Sequence, residues 1–250
     1  MKILRYEYEG ITSYGFLEDE TVYPVMGNIF GDFTVAKEGV LLSCVKLLVP
    51  CEPTKIIAVG LNYSDHAKEL KEEQRKAPVL FSKPTTALLP NGGTILWPCQ
   101  SGQVDYEAEL AVIIGKTADK IQPEEADDYI FGYTCLNDVT ARDLQKIDGQ
   151  WTRAKGFNTF APMGPFIETE VDVSSLDIRL ELNGEVKQQG NTDMMMFSPR
   201  ELVSFVSGVM TLFPGDVITT GTPAGIGPMQ HGDKVSVIIE KVGTLTNYME

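Results

Sequence analysis

Soft-metal ligands and redox motifs are scarce in this chain. Of 250 residues only two are histidines, His66 and His231, and the four cysteines, Cys44, Cys51, Cys99 and Cys135, include no CxxC pair. A structural zinc site is hard to assemble from that inventory, and a thioredoxin-type redox site is not suggested. The thiols are expected to be reduced and mostly buried. Any metal the chain holds must draw chiefly on oxygen ligands. Long apolar runs are also missing, since no stretch approaches the about 20 residues of a membrane span. The opening MKILRYEYEG alternates polar and apolar side chains where a signal peptide carries a continuous apolar segment. The expectation is a soluble cytoplasmic protein without a membrane partner. Positive charge is short as well. Lys plus Arg number 21 against 35 Asp plus Glu, a net charge of −14, and no basic cluster stands ready to neutralise a phosphate backbone. Nucleic acid is therefore not an expected partner.

What is present reads as ordinary globular sequence. Hydrophobic residues make up 43% and charged residues 22%, so no stretch has to be read as disordered. Residues 2–25 read as short strands around Ile3, Tyr6 and Tyr8, then 14–17, then 22–25, divided by Glu-Gly and Glu-Asp-Glu turns. This predicts a small β-rich N-terminal subdomain over residues 1–50. Pro50 and Pro53 break regular structure before an apolar strand at 55–59, and a larger domain is predicted over 54–250. Within it, 110–114 is a compact apolar strand, and 178–182 alternates cleanly into Asn183-Gly184, a strong hairpin signal. Ser198-Pro199-Arg200-Glu201 predicts a capped helix start, with Leu202, Phe205, Val206 and Val209 at helical spacing. Pro214-Gly215-Asp216 then turns into a strand at 217–219. Many strands, hairpins and no regular βαβ alternation give a β-rich α+β fold.

Several clusters carry chemistry. In Asp105-Tyr106-Glu107-Ala108-Glu109-Leu110 the two glutamates, two residues apart, project from one face of a strand. Such a pair is ordinarily a solvated strand edge, but the apolar residues around it weaken that reading, and like charges so placed call for a cation with oxygen ligands. Asn137-Asp138-Val139-Thr140-Ala141-Arg142-Asp143-Leu144-Gln145 reads as a helix start that sets Asp138, Arg142 and Gln145 on one face. Asp138 would complete a three-carboxylate site, with Arg142 and Gln145 placed to hold an anion; an ordinary Asp–Arg helix pair is the plainer alternative. In Asn62-Tyr63-Ser64-Asp65-His66-Ala67-Lys68-Glu69, His66 and Glu69 are i, i+3 neighbours on a helix, either an exposed pair or an oriented general base. His231 reads as exposed and structural. Lys155, in Trp151-Thr152-Arg153-Ala154-Lys155, supplies a cation. Thr222, in Thr219-Thr220-Gly221-Thr222-Pro223-Ala224-Gly225, supplies a hydroxyl in a glycine-rich segment that is not a P-loop. Residues Phe81-Ser82-Lys83-Pro84-Thr85-Thr86 form a further polar loop candidate.

In their order and spacing GLNYSDHAKEL, LFSKPTTAL, DYEAELAVIIG, NDVTARDLQ, WTRAK and GDVITTGTPAGIG resemble the fumarylacetoacetate hydrolase family. The likeness is closest to its short acylpyruvate hydrolase and oxaloacetate decarboxylase members, and it runs from about residue 54 to the C-terminus. The resemblance implies a mixed β-roll, commonly homodimeric, with Mg²⁺ or Mn²⁺ on Glu107, Glu109 and Asp138. It further implies a His66–Glu69 dyad on a short lid helix, with Arg142, Gln145 and Thr222 holding substrate and Lys155 in the active site. The segment from about 64 to 77, rich in Lys and Glu with few apolar anchors, is expected to be a mobile lid. The reaction it implies is breakage of a carbon–carbon bond in a small 2-oxo acid, by acylpyruvate hydrolysis or oxaloacetate decarboxylation. Family relatives also include isomerases of aromatic-acid breakdown and sugar-acid dehydratases. A non-catalytic 2-oxo-acid binding protein is the alternative from another class, set against it by the presence of both His66 and Glu69.

Overall fold

The computed structural model describes residues 1–65 and 76–250. Alternating apolar and polar residues build an antiparallel meander from Lys2–Tyr8, Ile11–Glu18 and Thr21–Gly27. Tyr8 pairs with Ile11 across a two-residue loop, Glu9-Gly10, in which both residues take positive φ. That conformation matches the twist of the two strands it joins. Lys2–Tyr8 also pairs antiparallel with Ala161–Glu168, so the meander extends the main sheet. From there the sheet continues through Ile130–Asn137, Ala108–Ile114, Val217–Thr219 and Ile56–Gly60 to Val79–Lys83. Val217–Thr219 and Ile56–Gly60 run parallel while their other neighbours run antiparallel, which makes the sheet mixed.

A second sheet, ordered Thr94–Ile95, Gly243–Met249, Lys234–Ile239, Asp177–Leu182 and Glu185–Asn191, packs against the first. The hairpin between its last two strands turns at Asn183-Gly184, as the dipeptide predicts. A small third sheet joins Thr140–Ala141, Val104–Tyr106 and Gly227–Pro228. The fold is β-rich α+β. Most of the apolar core lies between the two large sheets, and Leu4, Tyr6, Leu17 and Val22 make a separate cluster under the meander.

All seven residues of Ala108–Ile114 are buried. Leu110, Val112, Ile113 and Ile114 each contribute roughly 1.5–3 kcal/mol by leaving water, which lets this strand hold the buried carboxylate of Glu109. Asp216 locks the parallel pair at its start. One of its oxygens accepts the Thr54 N–H (2.9 Å), the Thr54 hydroxyl (2.7 Å) and the Lys55 N–H; the other accepts the Lys55 ammonium and the Phe213 N–H. Every donor that would be orphaned at this turn thus meets one buried acceptor.

Three local expectations change. The helix Pro199–Val209 has the predicted capping box, but it buries Leu202, Val203 and Val206 and leaves Phe205 and Val209 largely exposed. At 100° per residue, Phe205 and Val209 fall on the flank of the apolar stripe and Val203 falls within it. The presumed polar loop at 81–86 is the strand Val79–Lys83 followed by a 3₁₀ turn, Thr85–Ala87, because Lys83 finds buried partners. Of the cysteines only Cys51 and Cys135 are buried; Cys44 and Cys99 are exposed, so burial is not the rule for the thiols here. His231 is exposed and packs its ring against Trp97, with centroids 4.8 Å apart. Among the described residues no helix is long and apolar enough to cross a membrane.

Candidate metal centre and active site

The segment 105–109 approaches the end of Ile130–Asn137 closely enough for the Asp138 N–H to donate to the Glu107 carbonyl (2.9 Å). The Glu107 N–H in turn donates to the Asn137 side-chain oxygen (2.9 Å). These bonds hold Glu107, Glu109 and Asp138 together, and their ligand oxygens all lie within 4.8 Å of one another. Oxygens on opposite sides of a divalent cation with bonds of about 2.1–2.4 Å are separated by about 4.2–4.8 Å. Three buried hard donors at this separation fit such an ion. Asp138 reaches the site from the turn after a strand, not from a helix as its motif suggests. The Val139 N–H bonds the Asn137 carbonyl in a tight turn (3.0 Å), Thr140–Ala141 runs as a short strand, the Thr140 hydroxyl bonds back to the Asp138 carbonyl (2.9 Å), and the helix begins only at Arg142.

Three basic groups answer the carboxylates. Lys155 Nζ donates to Glu107 (2.8 Å) and Asp138 (2.6 Å), and Lys83 Nζ donates to the other Asp138 oxygen (2.5 Å). Arg142 bonds Asp105 (2.8 Å), Glu107 and the Gln145 side-chain oxygen. Asp105, Glu107, Glu109 and Asp138 against Lys83, Lys155 and Arg142 leave one negative charge unmatched. That charge falls on Glu109, which among the described residues has no ion pair and instead accepts the Thr219 hydroxyl and the Gly221 N–H (2.9 Å).

Ionisation follows this arrangement. Burial pushes Glu107 upward, but Lys155 and Arg142 outweigh it and hold the group down at about 2. Burial, then repulsion from Asp138 and Glu107, raises Glu109 well above the usual carboxylate range. Burial lowers Lys83 despite Asp138, whereas Asp138 and Glu107 overcome burial at Lys155 and raise it. A proton therefore competes with a cation for Glu109 at higher pH than it would for an ordinary carboxylate. Mn²⁺ affinity is expected to rise with pH, by up to about tenfold per unit, until Glu109 ionises without help, and to level off above that point. Calorimetric titration in buffers of different ionisation enthalpy counts the protons released. Affinity independent of pH, with no proton released, would contradict the assignment.

The cluster floors a cavity of about 230 Å³ lined also by Val59, Leu61, Phe81, Trp151, Arg142, Gln145 and Thr222. Phe81 and Trp151 meet edge to face at 5.1 Å and form its apolar wall. Seven of the residues singled out in the sequence, Glu107, Glu109, Asp138, Arg142, Gln145, Lys155 and Thr222, thus converge on one space. His66 and Glu69 lie outside the described residues. Gln188 belongs to none of the motifs read in the sequence, Asp105 enters one only as a neighbour of the glutamates, and Lys83 only as part of the candidate polar loop. Lys83 had one visible signal: two residues after Phe81 in a strand, it shares the face of an aromatic that looks into the cavity. A larger groove of about 690 Å³ opens elsewhere, beside Tyr133 and Arg200, but its Arg200–Asp127 pair is exposed and among the described residues no buried charged cluster faces it.

A β-rich α+β roll with a buried carboxylate–lysine cluster at the floor of one cavity defines the class of protein. Residues 55–250 match the family model of the fumarylacetoacetate (FAA) hydrolase C-terminal domain, and residues 1–50 match the Rv2993c-like N-terminal model. An uncharacterised protein of Methanocaldococcus jannaschii is 55% identical over 199 residues, 80% of this chain and 84% of that protein. The mitochondrial oxaloacetate tautomerase Fahd2a of Rattus norvegicus is 39% identical over 217 residues, 82% of this chain and 69% of the rat protein. Among solved structures, the 2-hydroxyhepta-2,4-diene-1,7-dioate isomerase of Mycobacterium marinum superposes with a TM-score of 0.94 at 41% identity, covering all of this chain and 98% of that one. The chain belongs to the fumarylacetoacetate hydrolase family.

Proposed function

We propose that the chain is an enzyme that acts on a small 2-oxo acid through an enolate, using Mg²⁺ or Mn²⁺ held by Glu107, Glu109 and Asp138. The observation that carries this reading is the buried, net-negative carboxylate cluster whose Glu109 has no cationic partner among the described residues. Oxygen donors alone favour Mg²⁺ or Mn²⁺ over Zn²⁺. When bound, the cation supplies Lewis-acid polarisation of a 2-oxo group and stabilises negative charge on its oxygen. Arg142 and Gln145, one turn apart on a helix, present a guanidinium and an amide to a substrate carboxylate. Lys155 keeps its positive charge beside the reacting oxygen, and its burial strengthens that field. Phe81 and Trp151 exclude water from one side of the cavity.

The bond to be broken is the one between the third and fourth carbons, whose electrons pass onto the 2-oxo oxygen as an enolate of pyruvate. Water supplies the hydroxyl taken up by the departing acyl group in acylpyruvate hydrolysis, and CO₂ departs in oxaloacetate decarboxylation. For hydrolysis, His66 assisted by Glu69 is the proposed water-activating base, on the resemblance alone. Tautomerisation is the second reading, favoured by the names of the rat relative and the M. marinum structure. It needs the same stabilisation of negative charge on the 2-oxo oxygen, but its enolate is that of the intact substrate. That enolate forms by loss of a proton from the third carbon and is quenched by a proton returned to oxygen or carbon, with no carbon–carbon bond broken. A homodimer in the cytoplasm belongs to the same proposal.

A panel of oxaloacetate, acetylpyruvate, fumarylpyruvate and fumarylacetoacetate with Mn²⁺ tests the reading. Ultraviolet absorbance follows enol loss, and a coupled assay follows CO₂ or pyruvate. Turnover of at least one 2-oxo acid is expected, and product release, pyruvate from the first three substrates and acetoacetate from fumarylacetoacetate, separates cleavage from tautomerisation. Inertness toward all four would contradict the proposal.

A further inference from the structure

Gln188 lies on Glu185–Asn191, an edge strand of the second sheet, yet its side chain is wholly buried. Its amide meets two backbone groups of opposite kind. The oxygen accepts the N–H of Ala108 (2.9 Å), the residue between Glu107 and Glu109. The nitrogen donates to the carbonyl of Pro223 (2.8 Å) and to the hydroxyl oxygen of Thr222 (2.8 Å). A backbone N–H only donates and a carbonyl only accepts, so flipping the amide would set donor against donor and acceptor against acceptor. The orientation is therefore fixed by the chain on both sides.

The fixed amide decides what the Thr222 hydroxyl can do. Its oxygen accepts from Gln188, which leaves its own proton for another acceptor. Among the described residues no acceptor takes that proton, and Thr222, only 3% exposed, lines the cavity above the carboxylate cluster. We propose that Gln188 is a positioning residue that holds the Thr222 hydroxyl as a donor aimed into the cavity, where it meets an anionic oxygen of the bound 2-oxo acid. The proposal rests on the reading of the site given above and deepens it. A hydroxyl free to rotate serves donors and acceptors alike. One held as a donor favours a carboxylate or enolate oxygen and rejects a group that only donates.

Calorimetry of oxalate binding to the Mn²⁺-loaded protein tests this without turnover. A donor to a charged oxygen is worth about 10- to 100-fold in affinity. Thr222→Val is expected to lose that factor, and Thr222→Ser to keep most of the wild-type affinity. Gln188→Met should weaken oxalate about tenfold in the wild-type background and not at all further in Thr222→Val, with Mn²⁺ affinity little changed. Losses that add in the double variant, or a parallel loss of Mn²⁺ affinity, would assign Gln188 a merely structural role and overturn the proposal. If Gln188→Met does not fold, Gln188→Glu keeps an acceptor for the Ala108 N–H and the same non-additivity is read there. Thr222→Val that binds oxalate like the wild type overturns the inference whatever the Gln188 variants do. Failure of the wild type to bind oxalate with Mn²⁺ present would instead overturn the functional reading, and this inference with it.

Discussion

Glu107→Gln is expected to lower turnover of a 2-oxo acid by about 10³-fold or more while leaving a folded protein. Glutamine keeps the volume of the side chain and an oxygen that accepts from Arg142 or Lys155, which both bond Glu107. It removes a charge that Lys155 and Arg142 hold at a pKa of about 2. The stability cost should be about 1–3 kcal/mol, the range for a weakened buried polar contact. Asp138→Ala makes a less clean experiment. It strands Lys83 in the interior, where an unpaired buried charge costs about 3–5 kcal/mol, and leaves Lys155 with Glu107 alone. Thermal unfolding measured beside turnover separates the two effects. Near-wild-type turnover in folded Glu107→Gln would remove Glu107 from the chemistry.

Lys155→Met should split metal binding from catalysis. The ammonium neutralises Glu107 and Asp138 in the absence of a cation, so its removal makes the cluster more negative. Mn²⁺ should bind at least as tightly as in the wild type. Turnover should still fall by about 10²–10³-fold, because the field that steadies the enolate oxygen is gone. Calorimetry with Mn²⁺ and steady-state kinetics on the same preparation provide both numbers. Weaker Mn²⁺ binding with unchanged kcat would mean that Lys155 organises the carboxylates and does not act on substrate.

Much of this site is legible in the chain because its parts are local. Glu107 and Glu109 share a face through the two-residue period of a strand, and Arg142 and Gln145 share one through the helical turn between them. The capping box at Ser198 and the turn at Asn183-Gly184 are equally local, and both form as read. Errors arise where tertiary contacts overrule local propensity. The stretch from Asp138 to Ala141 would extend the helix on spacing alone, yet the Glu107 carbonyl and the Gln103 carbonyl capture the Asp138 and Arg142 N–H groups. The helix is left to start four residues later than its motif suggests. The partners of Lys83 and Gln188 are hidden for another reason. Lys83 meets Asp138 across 55 residues, and Gln188 meets Ala108 across 80, from a different sheet. No periodicity in one strand reports which strand will pack against it. His66 and Glu69 stand on motif alone.

Oxaloacetate turnover by the protein stripped of metal and then titrated with Mn²⁺ tests the central claim most directly. The account predicts negligible activity after stripping and a saturable return that is complete at one Mn²⁺ per chain. Glu107→Gln should show no such return. Full activity in the stripped protein, unchanged by added Mn²⁺ or by EDTA, would contradict a cation held by Glu107, Glu109 and Asp138 as the centre of the chemistry.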